Sequence, residues 1–469
     1  MKKSNKNTVL KAIIALIVVA VLLTWITPSA TFSEGQFSAG DFERVGIFDL
    51  STYSLMSFSY FSNVFAFLFI IAGFSMFLNR LDAFKKLVKS IASKLKGKEL
   101  AFLIGSLVFY GVLASIIKDS FVLLVFAPLT IAIMTELKQS KINTFIASFG
   151  GILLGTLAST YNGTVTSILK QTFTSIKDFN TELIVSVALF VVGGALLVVL
   201  ALQDSKKKNF EATENILESK STLAEKVKAK KVSTLPLIII GVLVSVISVL
   251  SMIDWSGMFG VNIFSDLATQ ITESTIGGVT VFKYLFGQTS IAFGEWTLYL
   301  ISGLLVINTL ILALIYRVKF DEVIDSYLDG FRAYAKPIFA VFLIYVVFET
   351  NWFFPTLATV YNWILNTFGD NSFTWIIVSM IGSIFASSYE YLITPLSGFF
   401  TTVGTNSQDV VAFATQLGSG LVAFVAPTSI FLALGLTILN IDYKKYLKFI
   451  WKFFAAMFVI SILVLIILV

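Results

Sequence analysis

The sequence predicts an all-α polytopic membrane protein, folded as an inverted repeat with two re-entrant helical hairpins and two broken helices. Three observations predict it. Apolar residues make up 57% of the 469-residue chain and charged residues 13%, where a soluble domain carries about 25% charge. Runs such as 12–26, 183–202 and 453–469 hold few or no charges, and roughly 20 apolar residues cross a hydrocarbon core as a helix. Finally, four apolar segments are interrupted near their centres by polar residues, two in each half of the chain. Continuous apolar runs of this length also exclude a porin-like barrel, whose strands alternate over about ten residues.

The first run, 8–26, follows Lys2, Lys3 and Lys6, as a secretion signal does. It ends at Pro28 without a small-x-small cleavage site, so it reads as the first span. Residues 28–50 form an acidic loop with Glu34, Asp41, Glu43 and Asp49 against Arg44. Residues 58–78 return through the membrane. Residues 81–98 then place Leu81, Phe84, Leu87, Val88, Ile91 and Leu95 at helical spacing with lysines between, which reads as an amphipathic arm on the inner surface. Lysines gather at 80–98 and 206–231, and basic residues near span ends mark the cytoplasmic side. The reading is therefore a multi-pass plasma-membrane protein with a cytoplasmic N-terminus.

Segment 100–134 is a hairpin whose tip reads Ser115-Ile-Ile-Lys-Asp-Ser120. Segment 142–169 is a helix broken at Ser159-Thr-Tyr-Asn-Gly-Thr164. In the second half, 373–400 is interrupted by Ser387-Ser-Tyr-Glu390, and 410–439 by Pro427-Thr-Ser429. The interruptions lie 43 residues apart in the first half, from Asp119 to Asn162, and 40 apart in the second, from Ser388 to Thr428. Lys96, Lys98, Lys138 and Lys141 flank the first hairpin, while Asp370, Asn371, Gln408 and Asp409 flank the second. The first hairpin thus enters from inside and the second from outside. Residues 58–78 with the arm 81–98 pair with 337–348 and an outer arm at 352–368, unless the latter is a full span. Four parts follow: a first repeat at 1–202, a cytoplasmic linker at 203–234, an extra span and outer loop at 235–290, and a second repeat at 291–469.

Backbone broken at bilayer depth is costly unless protein or a water-filled cavity covers it. Transporters use such breaks because freed backbone groups and half-helix ends bind solute and ions. Asp119 and Glu390 sit near the two tips, and acids inside membrane segments are rare and functional by default. They are the candidates for charge compensation or ion coupling, with Lys118 as a neutralising partner for Asp119. Gly150, Gly151 and Gly155 read as close-packing glycines. Asn162-Gly163-Thr164 matches a glycosylation sequon but lies at membrane depth. The chain has no Cys and no His, which removes thiolate chemistry, His-based metal sites and imidazole relays. There is no phosphate-binding Gly-x-x-x-x-Gly-Lys-Ser/Thr loop, which excludes ATP-driven pumping. An enzyme is not expected, and a channel would need a repeated filter that the sequence lacks.

The second half also resembles the YfcC-like, C4-dicarboxylate anaerobic carrier family of the ion transporter superfamily. The resemblance rests on Phe413-Ala-Thr-Gln-Leu-Gly-Ser-Gly420, Pro427-Thr-Ser429 and Tyr443-Lys-Lys-Tyr-Leu-Lys-Phe-Ile450. Leu23-Thr-Trp-Ile-Thr-Pro28, Leu95-Lys-Gly-Lys-Glu99 and the Asn162 break are similar to that family too. The resemblance implies a secondary carrier with elevator-type movement, often a homodimer. It implies a substrate region of Ser159, Thr160, Asn162, Ser387, Ser388, Thr428 and Ser429, with Thr164 closing the same break. Ser419 and Ala423 depart from the Asp and Asn of the pattern, and the Ser387–Glu390 tip departs from a Ser/Gly-rich one. The expectation is a secondary active transporter of an amino acid, including a basic one, by ion symport or exchange. A C4-dicarboxylate is the alternative solute. Na⁺ or H⁺ is the expected coupling ion, with no other cofactor or metal.

Overall fold

A computed structural model describes residues 7–33, 36–159, 180–207, 211–213, 232–286, 292–400 and 408–468. Six helices among the described residues are long and apolar enough to cross a membrane. The first, α1 (Thr8–Ile26), has the bounds expected from its apolar run. The loop after it carries a two-stranded antiparallel hairpin, β1 (Ala30–Ser33) with β2 (Gln36–Ala39), which the sequence analysis did not anticipate. The Ala30 amide donates to the Pro355 carbonyl and Phe32 stacks on Phe399 at 4.2 Å, so this hairpin seats on the second half.

Next come α2 (Ile47–Tyr60), the span α3 (Ser62–Arg80) and the arm α4 (Asp82–Leu95). The arm turns by 116° into α5 (Glu99–Ala114), with Gly97 at φ +81° in the corner. The bend separates the lysine-bearing α4 from the apolar α5. Its buried residues Ala83, Phe84, Val88 and Ala92 form one stripe with lysines outside it. The first hairpin is α5, a tip, a 3-10 turn (Ser120–Val125) and α6 (Ala127–Glu136), which begins with Pro128 in its first turn. The first broken helix, α7 (Lys141–Leu157), contains a π-helical turn at Ile146–Gly150. It is followed after residue 179 by α8 (Asn180–Ser205).

The second half begins with α9 (Leu235–Leu250) and α10 (Leu298–Tyr316), joined by a loop with three short helices. Residues 235–253 were expected to cross fully. The helix is 16 residues long, or about 24 Å, and the first hairpin tip bridges its end through Ile117 and Ile253. Helix α10 has no counterpart in the sequence analysis; it packs on α3 and α9. Helix α11 (Phe320–Phe353) is 34 residues long and runs through Pro337, so the expected span 337–348 is only part of it. Proline is tolerated there because neighbouring helices cover the missing bond.

Pro355 ends α11, because the residue before a proline is pushed out of the helical region. Helix α12 (Thr356–Phe368) follows with 13 residues, about 20 Å, too short to span. The ambiguous 352–368 segment is therefore an arm, and Trp352 belongs to the helix before it. Helices α13 (Ser372–Phe385) and α14 (Tyr389–Phe400) form the second hairpin. Helices α15 (Gln408–Ala423) and α16 (Ile430–Ile438) form the second broken helix, and α17 (Tyr443–Leu468) closes the chain. The order span, arm, hairpin, broken helix, span thus occurs twice. In each copy the first hairpin arm packs along the first half of the broken helix, α5 on α7 and α13 on α15.

Glycine makes both contacts. A Cβ on Gly155 would collide with the Gly111 carbonyl, and one on Gly418 would lie 2.7 Å from the Ile376 carbonyl. Backbone-to-backbone approach of this kind holds helices together in lipid, where no hydrophobic force does so.

Candidate functional site

The first tip is set by its own capping chemistry. Asp119 Oδ1 accepts the Phe121 amide at 2.9 Å, which starts the 3-10 turn leading into α6. The tip is braced by the segment after α9: the Lys118 amide donates to the Met252 carbonyl at 2.8 Å. The Lys118 ammonium donates to the Gly294 carbonyl and pairs with Asp254 at 3.7 Å. Where the sequence offers Asp119 as the partner of Lys118, the ion pair shown is with Asp254, distant in sequence.

The second tip is held by α15. Tyr389 is buried and its hydroxyl shares a 2.8 Å hydrogen bond with Thr415 Oγ1. Ser387 is buried and its hydroxyl has no hydrogen-bond partner among the described residues, while Ser388 and Glu390 are exposed. Asp119 and Glu390 lie close enough for their charges to interact, and Tyr345 and Tyr391 lie within the same reach of both. The two hairpin tips, separated by some 270 residues of sequence, therefore come within electrostatic reach of each other. Phe61 stacks on Tyr345 at 3.6 Å, and Phe348 lies 4.5 Å from Tyr391, giving this region an aromatic wall.

The broken helices meet. Gln416 Nε2 donates to the Ser159 carbonyl at 2.9 Å, just past the end of α7. Thr160, Asn162 and Thr164 lie outside the described residues. In the second break, Thr428 is fully buried and its hydroxyl donates to the Ile384 carbonyl at 2.6 Å, tying the break to the end of α13. Ser429 precedes the first turn of α16 without capping it by its side chain. Two carbonyls freed by this break each accept a tyrosine hydroxyl. Phe424 accepts the Tyr446 hydroxyl at 3.0 Å and Val425 accepts that of Tyr443.

Sequence reasoning missed Tyr345, Tyr391 and Gln416. It noticed Tyr443 and Tyr446 as a motif without seeing their use. Gln416 lies inside the Phe413–Gly420 stretch; Tyr345 on α11 and Tyr391 beside the second tip carry no signal in a chain with 14% aromatic residues.

Paired re-entrant hairpins and broken helices converging inside a bundle of apolar spans make this a membrane transporter. The model of the family DcuC, C4-dicarboxylate anaerobic carrier, matches residues 7–469, and the chain belongs to that family. Among solved structures it is similar to MtrF of Neisseria gonorrhoeae, described within a class of antimetabolite efflux pumps. The identity is 13% over 97% of this chain and 94% of that one, with a TM-score of 0.41. It is also similar to the YdaH transporter of Alcanivorax borkumensis, described as having an unusual topology. There the identity is 13% over 96% of this chain and 97% of that one, with a TM-score of 0.38. No curated protein matches the chain.

Proposed function

We propose that this protein is a secondary active carrier of a small organic solute bearing an amino group, held between the two hairpin tips. The observation that carries the reading is that Asp119 and Glu390 lie within electrostatic reach of each other and of Tyr345 and Tyr391, two tyrosines packed on Phe61 and Phe348. Two carboxylates of like sign are costly side by side unless a cation or proton joins them. An ammonium group satisfies both, and tyrosine faces favour it further. The ammonium of Lys118 is committed to Asp254 and Gly294. Ser387, Ser388, Ser159, Thr428 and Ser429, with Thr160, Asn162 and Thr164, supply the hydroxyl and amide groups of the proposed solute region. Asp119 and Glu390 would pair with the solute or with a coupling Na⁺ or H⁺.

A second reading, a C4-dicarboxylate, is favoured by the family to which the chain belongs. A dianion at these tips requires a co-bound cation to offset the two acids.

Alternating access would move the hairpin and broken-helix units, 99–159 and 372–438, against the frame of α3 and α11. The proposed orientation puts the N-terminus in the cytoplasm of a plasma-membrane protein, and the proposed assembly is a homodimer. The test is uptake and counterflow in proteoliposomes with L-arginine, L-ornithine, succinate and fumarate, under separately imposed Na⁺ and H⁺ gradients. Saturable counterflow of an amino acid supports the first reading, and counterflow of a dicarboxylate alone supports the second. Flux that never saturates contradicts both. With no native cysteine, single cysteines in α4 and α12 report sidedness by labelling from either face.

A further inference from the structure

Glu349 is an acid that neither the tips nor the broken helices use. It lies in the last turns of α11 and is 2% exposed. Its Oε2 contacts the Ser57 hydroxyl of α2 at 2.9 Å, and its Oε1 meets no hydrogen-bonding partner among the described residues. None of the ion pairs formed among the described residues includes it.

The elements packed on α11 offer no compensating charge nearby. Helix α3 has only Arg80, at its far end and paired with Asp329. Helix α1 has only Lys11, in its first turn, whereas Glu349 is near the other end of α11. Helices α13 and α16 contain no titratable residue, and α10 contains only Tyr299 and Tyr316. Helix α2 brings Asp49, Tyr53 and Tyr60, and Asp49 caps its own helix through the Gly46 amide. On α11 itself Tyr345 is one turn away, and α14 adds Glu390 and Tyr391 beyond Phe348.

An ionised carboxylate held by one neutral hydroxyl is strongly disfavoured when buried. Hydrogen counting points the same way. The Ser57 hydroxyl has one hydrogen and two acceptors in reach, Glu349 Oε2 at 2.9 Å and the Tyr53 carbonyl at 3.3 Å. If Glu349 is ionised, only one of these contacts is a hydrogen bond. If it is protonated, Oε2–H donates to Ser57 Oγ and Ser57 donates to Tyr53, so both are.

We propose that Glu349 is a proton-binding site, neutral in this conformation, that couples the carrier to a proton gradient. This deepens the carrier reading and rests on it for the coupling step. Deprotonation breaks the Oε2–H bond and passes the proton to water, leaving the carboxylate to be stabilised in a conformation where α2 has moved from α11. Glu349 lies one turn beyond Tyr345 on the same face of α11, and Tyr345 packs on Phe61 within electrostatic reach of both tip acids; this turn is the path by which the proton site would bear on the tips.

Two measurements test it on the full chain reconstituted in lipid. Infrared difference spectra, wild type minus Glu349→Gln at neutral pH, are expected to show a protonated carboxyl C=O band that shifts in D₂O. Ser57→Ala is expected to move that band. A carboxylate band alone overturns the proposal, and a wild-type pH titration of the band serves should Glu349→Gln fail to fold. In proteoliposomes carrying the same four solutes, about one unit of imposed pH gradient gives roughly tenfold accumulation per coupled proton. Glu349→Gln is expected to reduce accumulation to about unity while counterflow persists. Unchanged accumulation overturns the coupling role. If no solute moves in the wild type, the carrier reading fails, and the infrared band still decides whether Glu349 is a proton site.

Discussion

The two hairpin tips solve one problem in different ways. The first is braced from outside its repeat: Lys118 reaches Gly294 and Asp254, and its amide reaches Met252, so the tip is fastened to the segments around α9 and α10. The second is braced from within: Tyr389 holds Thr415 on its own broken helix, and Thr428 holds Ile384. The first tip turns its acid inward as a helix cap, while the second leaves Glu390 exposed. The first hairpin is therefore fastened to the α9–α10 insertion, and the second is tied to its own broken helix. Equivalent positions in a repeat need share only backbone architecture; the side chains that secure them differ.

What the repeats share should break most severely. Gly155→Val and Gly418→Val each drive a side chain into a facing carbonyl. Each is expected to cost at least about 1–3 kcal/mol, seen as loss of monodisperse protein on heating in detergent, and equally in both halves. Next in size is the exposed acid. Glu390→Gln should lower saturable transport by about tenfold or more with membrane insertion intact; unchanged uptake kinetics would remove Glu390 from the site. Thr428→Val removes the tie between the second break and α13, and is expected to cost about 1 kcal/mol of thermal stability. The smallest effect belongs to Lys118→Ala. Its partly exposed pair with Asp254 contributes about 0–1 kcal/mol, so stability should hardly change while the first tip becomes more accessible to proteolysis.

The parts legible in the sequence are those written in local patterns. Hydropathy located α1 to the residue, and amphipathic spacing gave the arm α4. Acids within apolar runs exposed Asp119 and Glu390 as tip residues. Contacts made across the chain were not legible. Lys118 adjoins Asp119 in sequence, yet the ion pair it forms with Asp254 spans a long stretch of the chain. Tyr443 and Tyr446 stand in the closing stretch that carries the family resemblance, yet only the structure shows that their hydroxyls bond carbonyls freed some 20 residues earlier. Glu349, in Phe348-Glu-Thr-Asn-Trp352, reads as the polar end of a span. Only the packing of α2 across it shows that it is buried. Helix α12 was ambiguous because its Trp and Tyr content suits either an interface or a span, and Pro355 decides its start.

The central claim is that both tip acids face one site. Asp119→Cys with Glu390→Cys in this cysteine-free chain, treated in native membranes with a short bifunctional thiol reagent, tests it most directly. The expected result is an intramolecular crosslink that forms in the double variant, slows when a transported solute is present, and arrests counterflow. Efficient labelling of each single cysteine without any crosslink in the pair would contradict a shared site between the hairpins.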